Sequence, residues 1–160
     1  MSVAVRRARK DDIRTVARFA LALFAQHRVY DPDRFAELGD REGAERYYLS
    51  RAEADGAAVF VAEVNGEVVG FAYLEYERID YANLLENAVW LHDLYIAETA
   101  RGTGAGKLLI DSAADFGKQI GADKVVLSVA AKNRAAHDFF GHMGFRETMI
   151  EMTLNLTGEK

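Results

Sequence analysis

The sequence lacks cysteine altogether, and it has no apolar run long enough for a signal peptide or a membrane span. The first absence excludes disulfide bonds, thiol nucleophiles and cysteine metal sites, and it is compatible with a reducing cytoplasm. The second predicts that no membrane is a partner. None of the four histidines has a known metal-ligand spacing. These features favour a cytoplasmic protein without a metal.

Basic residues are fewer than acidic residues. Lysine and arginine number 20 against 25 aspartates and glutamates, so the formal net charge is -5. Because phosphate binding needs a basic face, nucleic acid is not expected as the main partner. The acidic balance permits a cationic substrate, although an ordinary solvated surface would carry the same charge.

Apolar residues, by contrast, make up 50% of the chain, which suits one core and one domain over residues 1–160. Alternation and helical spacing then predict the elements. The predicted strands cover residues 3–7, 57–64, 67–76, 88–96, 124–129 and 148–156, and the predicted helices open at residue 11 and cover about 41–54, 106–119 and 133–143. This order implies an α/β fold in which helices pack on a mixed sheet.

Two of the connections between predicted strands differ: one is a tight hairpin and the other is irregular. Asn65-Gly66 lies between two apolar, β-rich runs and predicts a tight type I′ hairpin. Residues 78–87 are polar, and we interpret them as an irregular connection before the next strand.

A glycine-rich turn lies between a buried strand and an amphipathic helix. Such a turn presents backbone N–H groups at the positive end of the helix dipole, where a phosphate or pyrophosphate binds. Glycine allows the anion to approach the backbone closely, and flanking basic residues add charge. The predicted anion contacts are Arg101, Gly102, Thr103, Gly104, Ala105, Gly106 and Lys107.

Two common phosphate motifs do not fit this turn. A Walker A loop would need glycine at Arg101 and serine or threonine at Leu108. A dinucleotide fingerprint that starts at Gly102 would need its third glycine at Lys107. The pattern that remains is R-x-x-G-x-G.

This pattern resembles the pyrophosphate loop, Q/R-x-x-G-x-G/A, of the GNAT superfamily of N-acetyltransferases. The family's second segment, N-x-x-A-x-x-F-Y-x-x-x-G-F, should follow about thirty residues later. Its positions are occupied here by Asn133, Ala136, Phe139, Phe140, Gly144 and Phe145. Two motifs in the right order make the resemblance specific, and it covers almost the whole chain. It implies a single-domain GNAT fold, with a mixed central sheet splayed between the fourth and fifth strands and helices on both faces.

The resemblance also implies the chemistry. Acetyl-CoA would donate its acetyl group directly to a primary amine, and we expect that amine to be small and cationic. Leu94, Tyr95 and Ile96 would contact the pantetheine and acetyl group, and a backbone N–H there would polarise the thioester carbonyl. Asn133 and Phe140 would contact the cofactor from the last helix. A homodimer is compatible with the family, in which dimers are common.

His92 is the first candidate for the catalytic base, because the imidazole pKa suits proton acceptance near neutral pH. Its strand resembles that of the arylalkylamine N-acetyltransferases, which place a catalytic histidine there. A histidine satisfied within the sheet, or one that faces solvent, is the structural alternative. Asp93 is the second candidate; strand alternation points it to the face opposite His92, where it would accept the proton or orient an ammonium.

Phe140 is the main departure from the family pattern, which has tyrosine here as the general acid. Phenylalanine cannot donate a proton, so the acid is open, and His137 one turn earlier is an alternative donor. The same departure leaves open a non-catalytic acyl-CoA-binding or regulatory module. A protein or peptide N-acetyltransferase is a further alternative.

Overall fold

A computed structural model describes residues 2–158; residues 1, 159 and 160, which the predicted domain also included, lie outside the described residues. Its strands are β1 (Val3–Arg7), β2 (Ala57–Val64), β3 (Glu67–Asp80), β4 (Leu85–Ile96) and β5 (Lys124–Val126). Its helices are α1 (Ile13–Tyr30), α2 (Arg41–Glu53), α3 (Ala105–Ile120) and α4 (Arg134–His142). One compact unit contains the chain up to Leu23 together with Gly39–Ser128, and a second contains Phe24–Leu38 and the chain from Val129 onward.

The five strands form one sheet in the order β1-β2-β3-β4-β5, and the sheet is mixed, as predicted. The first three pairings are antiparallel, and β4 pairs with β5 in parallel. This parallel pairing is short, since residues 88–90 face Lys124–Val126. From there β4 continues to Ile96 without β5, so the sheet splays between its fourth and fifth strands.

Helices cover both faces of this sheet, which confirms the predicted architecture. On one face, Phe19 of α1 packs on Tyr95, and Tyr48 of α2 packs on Phe71, whose register partner is Tyr95. On the other face, Arg7 lies over the ring of Phe116 of α3 and over that of Phe60, its register neighbour. The fully buried side chains of the core include Tyr48, Phe71, Tyr73, Leu74 and Leu109.

Asp12 fastens the start of α1 to the sheet. Both of its carboxylate oxygens accept hydrogen bonds from the Arg6 guanidinium, at 2.7 and 3.1 Å, and one also accepts from the backbone N–H of Arg9. The guanidinium bonds, more than any other influence, hold the pKa of Asp12 below its ordinary value. The acidic start of this helix therefore makes a specific tertiary contact.

The predicted hairpin at Asn65-Gly66 is confirmed. Both residues have positive φ, 51° and 82°, as a type I′ turn requires. Val64 and Glu67 are register partners on either side of it. Sequence alone was sufficient here because only residues that tolerate this conformation fit the turn.

The prediction of an irregular segment at 78–87 is wrong. β3 extends to Asp80 and β4 begins at Leu85, so the two strands form a long hairpin with a short turn. In that turn the Asp80 carboxylate accepts the backbone and side-chain N–H groups of Asn83. The polar residues of this hairpin are compatible with strands, because each strand satisfies the backbone hydrogen bonds of the other.

The predicted strand at 148–156 is also wrong, and β5 ends earlier than predicted. Residues 145–156 have no regular secondary structure, and the apolar side chains of Met149, Ile150, Met152, Leu154 and Leu156 are exposed. Alternation specifies which face a strand would bury, but a strand needs a neighbour to accept its backbone hydrogen bonds. Among the described residues, no strand pairs with this segment.

Candidate active site

The glycine-rich turn forms the N-terminus of α3. Gly102 and Gly104 have φ of 80° and 91°, a left-handed conformation that favours glycine, and Gly104 is the N-cap. The Thr103 hydroxyl donates to the Ala100 carbonyl at 2.6 Å, which holds the loop in shape. Within residues 2–158, the N–H groups of Gly102, Thr103 and Gly104 donate to no acceptor. The turn thus offers free donors at a positive helix end, which suits a pyrophosphate.

The basic residues that flank this turn differ in their contacts. Arg101 is exposed, whereas Lys107 forms an ion pair with Asp111 one turn along α3, at 2.8 Å. A β-carbon at Gly102 or Gly104 would meet no atom within 4 Å. Glycine is therefore required at these two positions by the positive φ and not by neighbouring protein atoms. The space beside both residues is open to a ligand.

The end of β4 has an unpaired edge. Residues 94–96 pair with Ala72, Phe71 and Gly70 of β3 on one side. On the other side, the pairing with β5 ends at Trp90, and among the described residues no strand takes its place. Backbone N–H and C=O groups along such an edge can pair with an extended ligand as they would with a strand. The predicted contacts Leu94, Tyr95 and Ile96 all lie on this edge.

Gly70 fixes the position of this edge, and the sequence analysis missed it. A β-carbon at position 70 would lie 2.5 Å from the Tyr95 carbonyl oxygen and 2.7 Å from Ile96 Cδ1. A glycine inside a strand pattern is the signal that indicates such a close backbone approach. The strand pair can therefore come together at this point only with glycine at position 70.

A β-bulge places His92 in the middle of β4. Tyr73 is the register partner of Asp93, but the next residue on β3, Leu74, is the partner of Leu91. His92 is the extra residue, and it has no partner of its own on β3. Bulges re-aim side chains and increase the local twist.

The His92 ring lies between two aromatic rings. It stacks on Tyr73 with centroids 5.2 Å apart and on Trp90 with centroids 6.0 Å apart. The side chain is nevertheless exposed. The structure therefore supports neither a histidine satisfied inside the sheet nor a freely rotating surface histidine.

Asp93 lies on the same side of the sheet as His92, which corrects the prediction of opposite faces. The buried Tyr48 of α2 donates its hydroxyl hydrogen bond to Asp93 Oδ2 at 2.6 Å. Tyr48 also packs on Tyr73, the ring on which His92 stacks. The bulge explains the error, because the extra residue interrupts strict alternation. Burial first, and then the charge of Asp93, raise the pKa of Tyr48 well above its ordinary value, so this hydroxyl stays a donor.

Polar contacts hold the hydroxyl end of the Tyr73 side chain. Its hydroxyl donates to Glu75 and lies 2.9 Å from the Tyr47 hydroxyl, and Glu75 forms an ion pair with Arg51 of α2. Burial, followed by the hydrogen bonds to Glu75 and Tyr47, raises the pKa of Tyr73 far above its ordinary value. The ring that supports His92 is thus fixed by neutral hydroxyls and an ion pair.

An open cleft of about 270 Å³ begins at the splay of the sheet. It is lined by Glu77, Asp80, Asn83, Trp90, Leu91, His92 and Ser128. The hydrogen bond from the Asn83 side chain is the main cause that lowers the pKa of Asp80, so this carboxyl is ionised near neutral pH. Carboxylates beside aromatic rings form a suitable environment for a cation.

The two predicted site residues of the second unit have structural contacts of their own. The Asn133 side chain caps α4 by accepting the Ala136 N–H at 3.1 Å. Phe140 packs between the rings of Phe139 and Phe145. These contacts account for an asparagine and a phenylalanine here, and the predicted contacts with a cofactor stay predictions.

From residue 2 to residue 158, no helix is both long enough and apolar enough to cross a bilayer. No group of three or more histidine, aspartate or glutamate side chains in that part could hold a metal ion.

Comparison with known proteins gives the following matches. A sequence model of the acetyltransferase (GNAT) family matches residues 21–145. YhfO, an uncharacterized N-acetyltransferase of Bacillus subtilis (strain 168), is 30% identical over 143 residues, which are 89% of this chain and 89% of YhfO.

Two solved structures are similar over nearly their whole length. A tetramutant of the BH1408 protein from Bacillus halodurans has a TM-score of 0.82 at 22% identity, over 96% of this chain and 99% of that one. The aminoglycoside N-acetyltransferase AAC(6')-Iy, in complex with CoA, has a TM-score of 0.79 at 20% identity, over 96% of this chain and 94% of that one. At these identities each likeness shows the fold.

Proposed function

Because the chain belongs to the GNAT family of acetyltransferases, we propose that it transfers acetyl from acetyl-CoA directly to the primary amine of a small cationic molecule. The chain is an acetyl-CoA-dependent N-acetyltransferase. The acceptor, the direct transfer and the roles of single residues are the proposal. A cytoplasmic location and a homodimer stay predictions.

The observation that carries the proposal is the unpaired edge at residues 94–96. Along the chain, this edge follows the cleft residues of β4 and precedes the glycine turn. The edge suits the extended pantetheine, and the free N–H groups of Gly102, Thr103 and Gly104 suit the pyrophosphate. The residues present thus fit acetyl-CoA. When bound, it supplies a thioester, so that an ammonium substrate and acetyl-CoA give an amide, a free thiol and one proton.

His92 accepts the proton that the ammonium must lose before its nitrogen can attack. Imidazole is suited to this role near neutral pH, and the stack of Tyr73 and Trp90 holds the ring at the cleft wall. A backbone N–H among residues 94–96 stabilises the developing oxyanion. The Asp93 carboxylate, on the same side as His92, attracts the positive charge of the acceptor.

The lining of the cleft supports a cationic acceptor. Glu77 and Asp80 contribute carboxylates, and Trp90 contributes an aromatic face. A peptide acceptor would need a groove longer than this cleft.

The test is CoA thiol release from acetyl-CoA with a panel of polyamines, aminoglycosides, arylalkylamines, amino acids and short peptides. We expect the highest kcat/KM with a small amine that carries a second positive charge. Transfer to peptides alone would refute the small-molecule acceptor. Silence across the panel, in a protein that binds acetyl-CoA by calorimetry, would refute the proposed reaction.

A matched pair of variants tests the cleft itself. Glu77→Gln removes one carboxylate from the lining, whereas Glu67→Gln removes one from the exposed hairpin of the same strand. We expect Glu77→Gln to raise the KM for the amine and to leave the KM for acetyl-CoA unchanged. Equal effects of the two variants would show that overall charge, and not this cleft, attracts the acceptor.

A further inference from the structure

Tyr48 brings a buried hydroxyl from α2 to the bulge of β4. Its ring is 2% exposed and packs on Phe71 and Tyr73, so its position is set by the core. From there the hydroxyl reaches Asp93 Oδ2 at 2.6 Å. Asp93 lies next to the bulge, so regular pairing with β3 continues on only one side of it. The Tyr48 hydroxyl, which comes from another element, orients its carboxylate.

We infer that Tyr48 is a positioning residue, which holds the Asp93 carboxylate beside His92 so that it binds the ammonium of the acceptor. The inference rests on the proposed function, because it assigns a task in amine binding. Asp93 is the group that touches the substrate, and Tyr48 acts through it. The hydroxyl donates its hydrogen bond to Asp93 Oδ2 and so fixes the carboxylate to which the ammonium of the acceptor is attracted.

The distinguishing variant is Tyr48→Phe, which keeps the ring and its packing and removes the hydroxyl. We expect the KM for the amine to rise about tenfold, the effect of losing one hydrogen bond to a charged group. The dissociation constant for acetyl-CoA should stay unchanged, because the variant keeps the ring that packs on Phe71 and loses only the hydroxyl that donates to Asp93. A merely structural role would change both constants or neither.

The matched control is Tyr76→Phe. Tyr76 also lies on the sheet and donates one hydroxyl hydrogen bond, to Asn87 Oδ1 at 2.8 Å, but on the α3 face. We expect it to lose similar stability in urea unfolding and to keep the wild-type KM for the amine.

A double-mutant cycle shows whether Tyr48 acts through Asp93. Asp93→Asn alone should raise the KM for the amine, and adding Tyr48→Phe to it should have no further effect. Additive effects, or an unchanged KM in Tyr48→Phe, would overturn the inference while leaving the acetyltransferase reaction intact. Absence of wild-type turnover with every amine would overturn the proposed function as well, so the two failures are distinguishable.

Discussion

Gly70 of β3 comes so close to Tyr95 of β4, the neighbour of its register partner Ile96, that a β-carbon on Gly70 would lie 2.5 Å from the Tyr95 carbonyl oxygen. Gly70→Ala must therefore displace the strand that carries residues 94–96. We expect it to lower the free energy of unfolding by about 1–3 kcal/mol, as overpacking does. Acetyl-CoA affinity, measured by calorimetry, should fall with it.

Gly117→Ala is the control for this substitution. Gly117 is also buried, but a β-carbon there would make ordinary contacts of 3.8 Å with Val125 and Val89. It lies inside α3, where alanine is favoured over glycine. Unchanged acetyl-CoA affinity in Gly70→Ala, or an equal loss in Gly117→Ala, would contradict the assigned role of Gly70.

His92→Gln tests the base. Glutamine keeps a polar side chain at the bulge but cannot accept a proton near neutral pH. We expect kcat to fall by about 10²- to 10⁴-fold at neutral pH, the usual contribution of general base catalysis. Acetyl-CoA binding should stay near wild type. A kcat that is the same in variant and wild type from pH 6 to 9 would remove His92 from the mechanism.

Gly104→Val tests the anion site. The valine side chain would fill the open space beside the N-cap of α3, and we expect acetyl-CoA binding to be lost. The substitution also strains the backbone, at φ of 91°. Gly66→Val carries similar strain at φ of 82°, with equally open space, in the β2–β3 hairpin.

Both glycine variants should therefore lose stability in urea unfolding by similar amounts. Only Gly104→Val should lose affinity for acetyl-CoA in calorimetry. Should the two variants bind equally well, the glycine turn would not be the pyrophosphate site.

Asp12→Asn tests the contact between α1 and β1. The Arg6 guanidinium lowers the pKa of Asp12 in the folded state, so the stabilisation is complete above the unfolded pKa of about 3.9 and is lost as pH falls through the folded value. At pH 7 we expect Asp12→Asn to lower the free energy of unfolding by about 2 kcal/mol. The gap between variant and wild type should narrow below about pH 4.

Asp11→Asn provides the control, because Asp11 is the adjacent residue and is exposed. Urea unfolding as a function of pH should show a much smaller change for this variant. A gap between Asp12→Asn and wild type that is constant with pH would show that charge is not the cause.

Sequence was sufficient where a local rule had one structural solution. Asn65-Gly66 specified its hairpin because few residues tolerate positive φ at both central positions. Gly104 and its flanking residues specified the α3 N-terminus for a similar reason. Helical spacing of apolar residues also predicted the helix that opens near residue 11, and the buried face of α1 includes Ile13, Val16 and Ala17.

Sequence failed where the result depends on a neighbour. The alternation at 148–156 could not show whether a neighbouring strand accepts the backbone hydrogen bonds of this segment. Likewise, the polar sequence around Arg78 could not show that β4 pairs with it. Tyr48 lies 45 residues before Asp93, and nothing in either segment indicates their contact. The bulge is invisible for the same reason, because it is a property of the pairing between β3 and β4.

The bulge at His92 divides β4 into two stretches of opposite phase. Residues 85–91 alternate with one parity and residues 93–96 with the other. Trp90 and Leu91 of the first stretch line the cleft that we propose for the acceptor, and the proposed contacts with the acetyl donor come from the second. Register partners lie on the same face of a sheet, and Leu91 and Asp93 already oppose the adjacent residues Leu74 and Tyr73. Deleting residue 92 would therefore leave both stretches facing as they do, and would remove only the side chain at the junction between the two proposed sites.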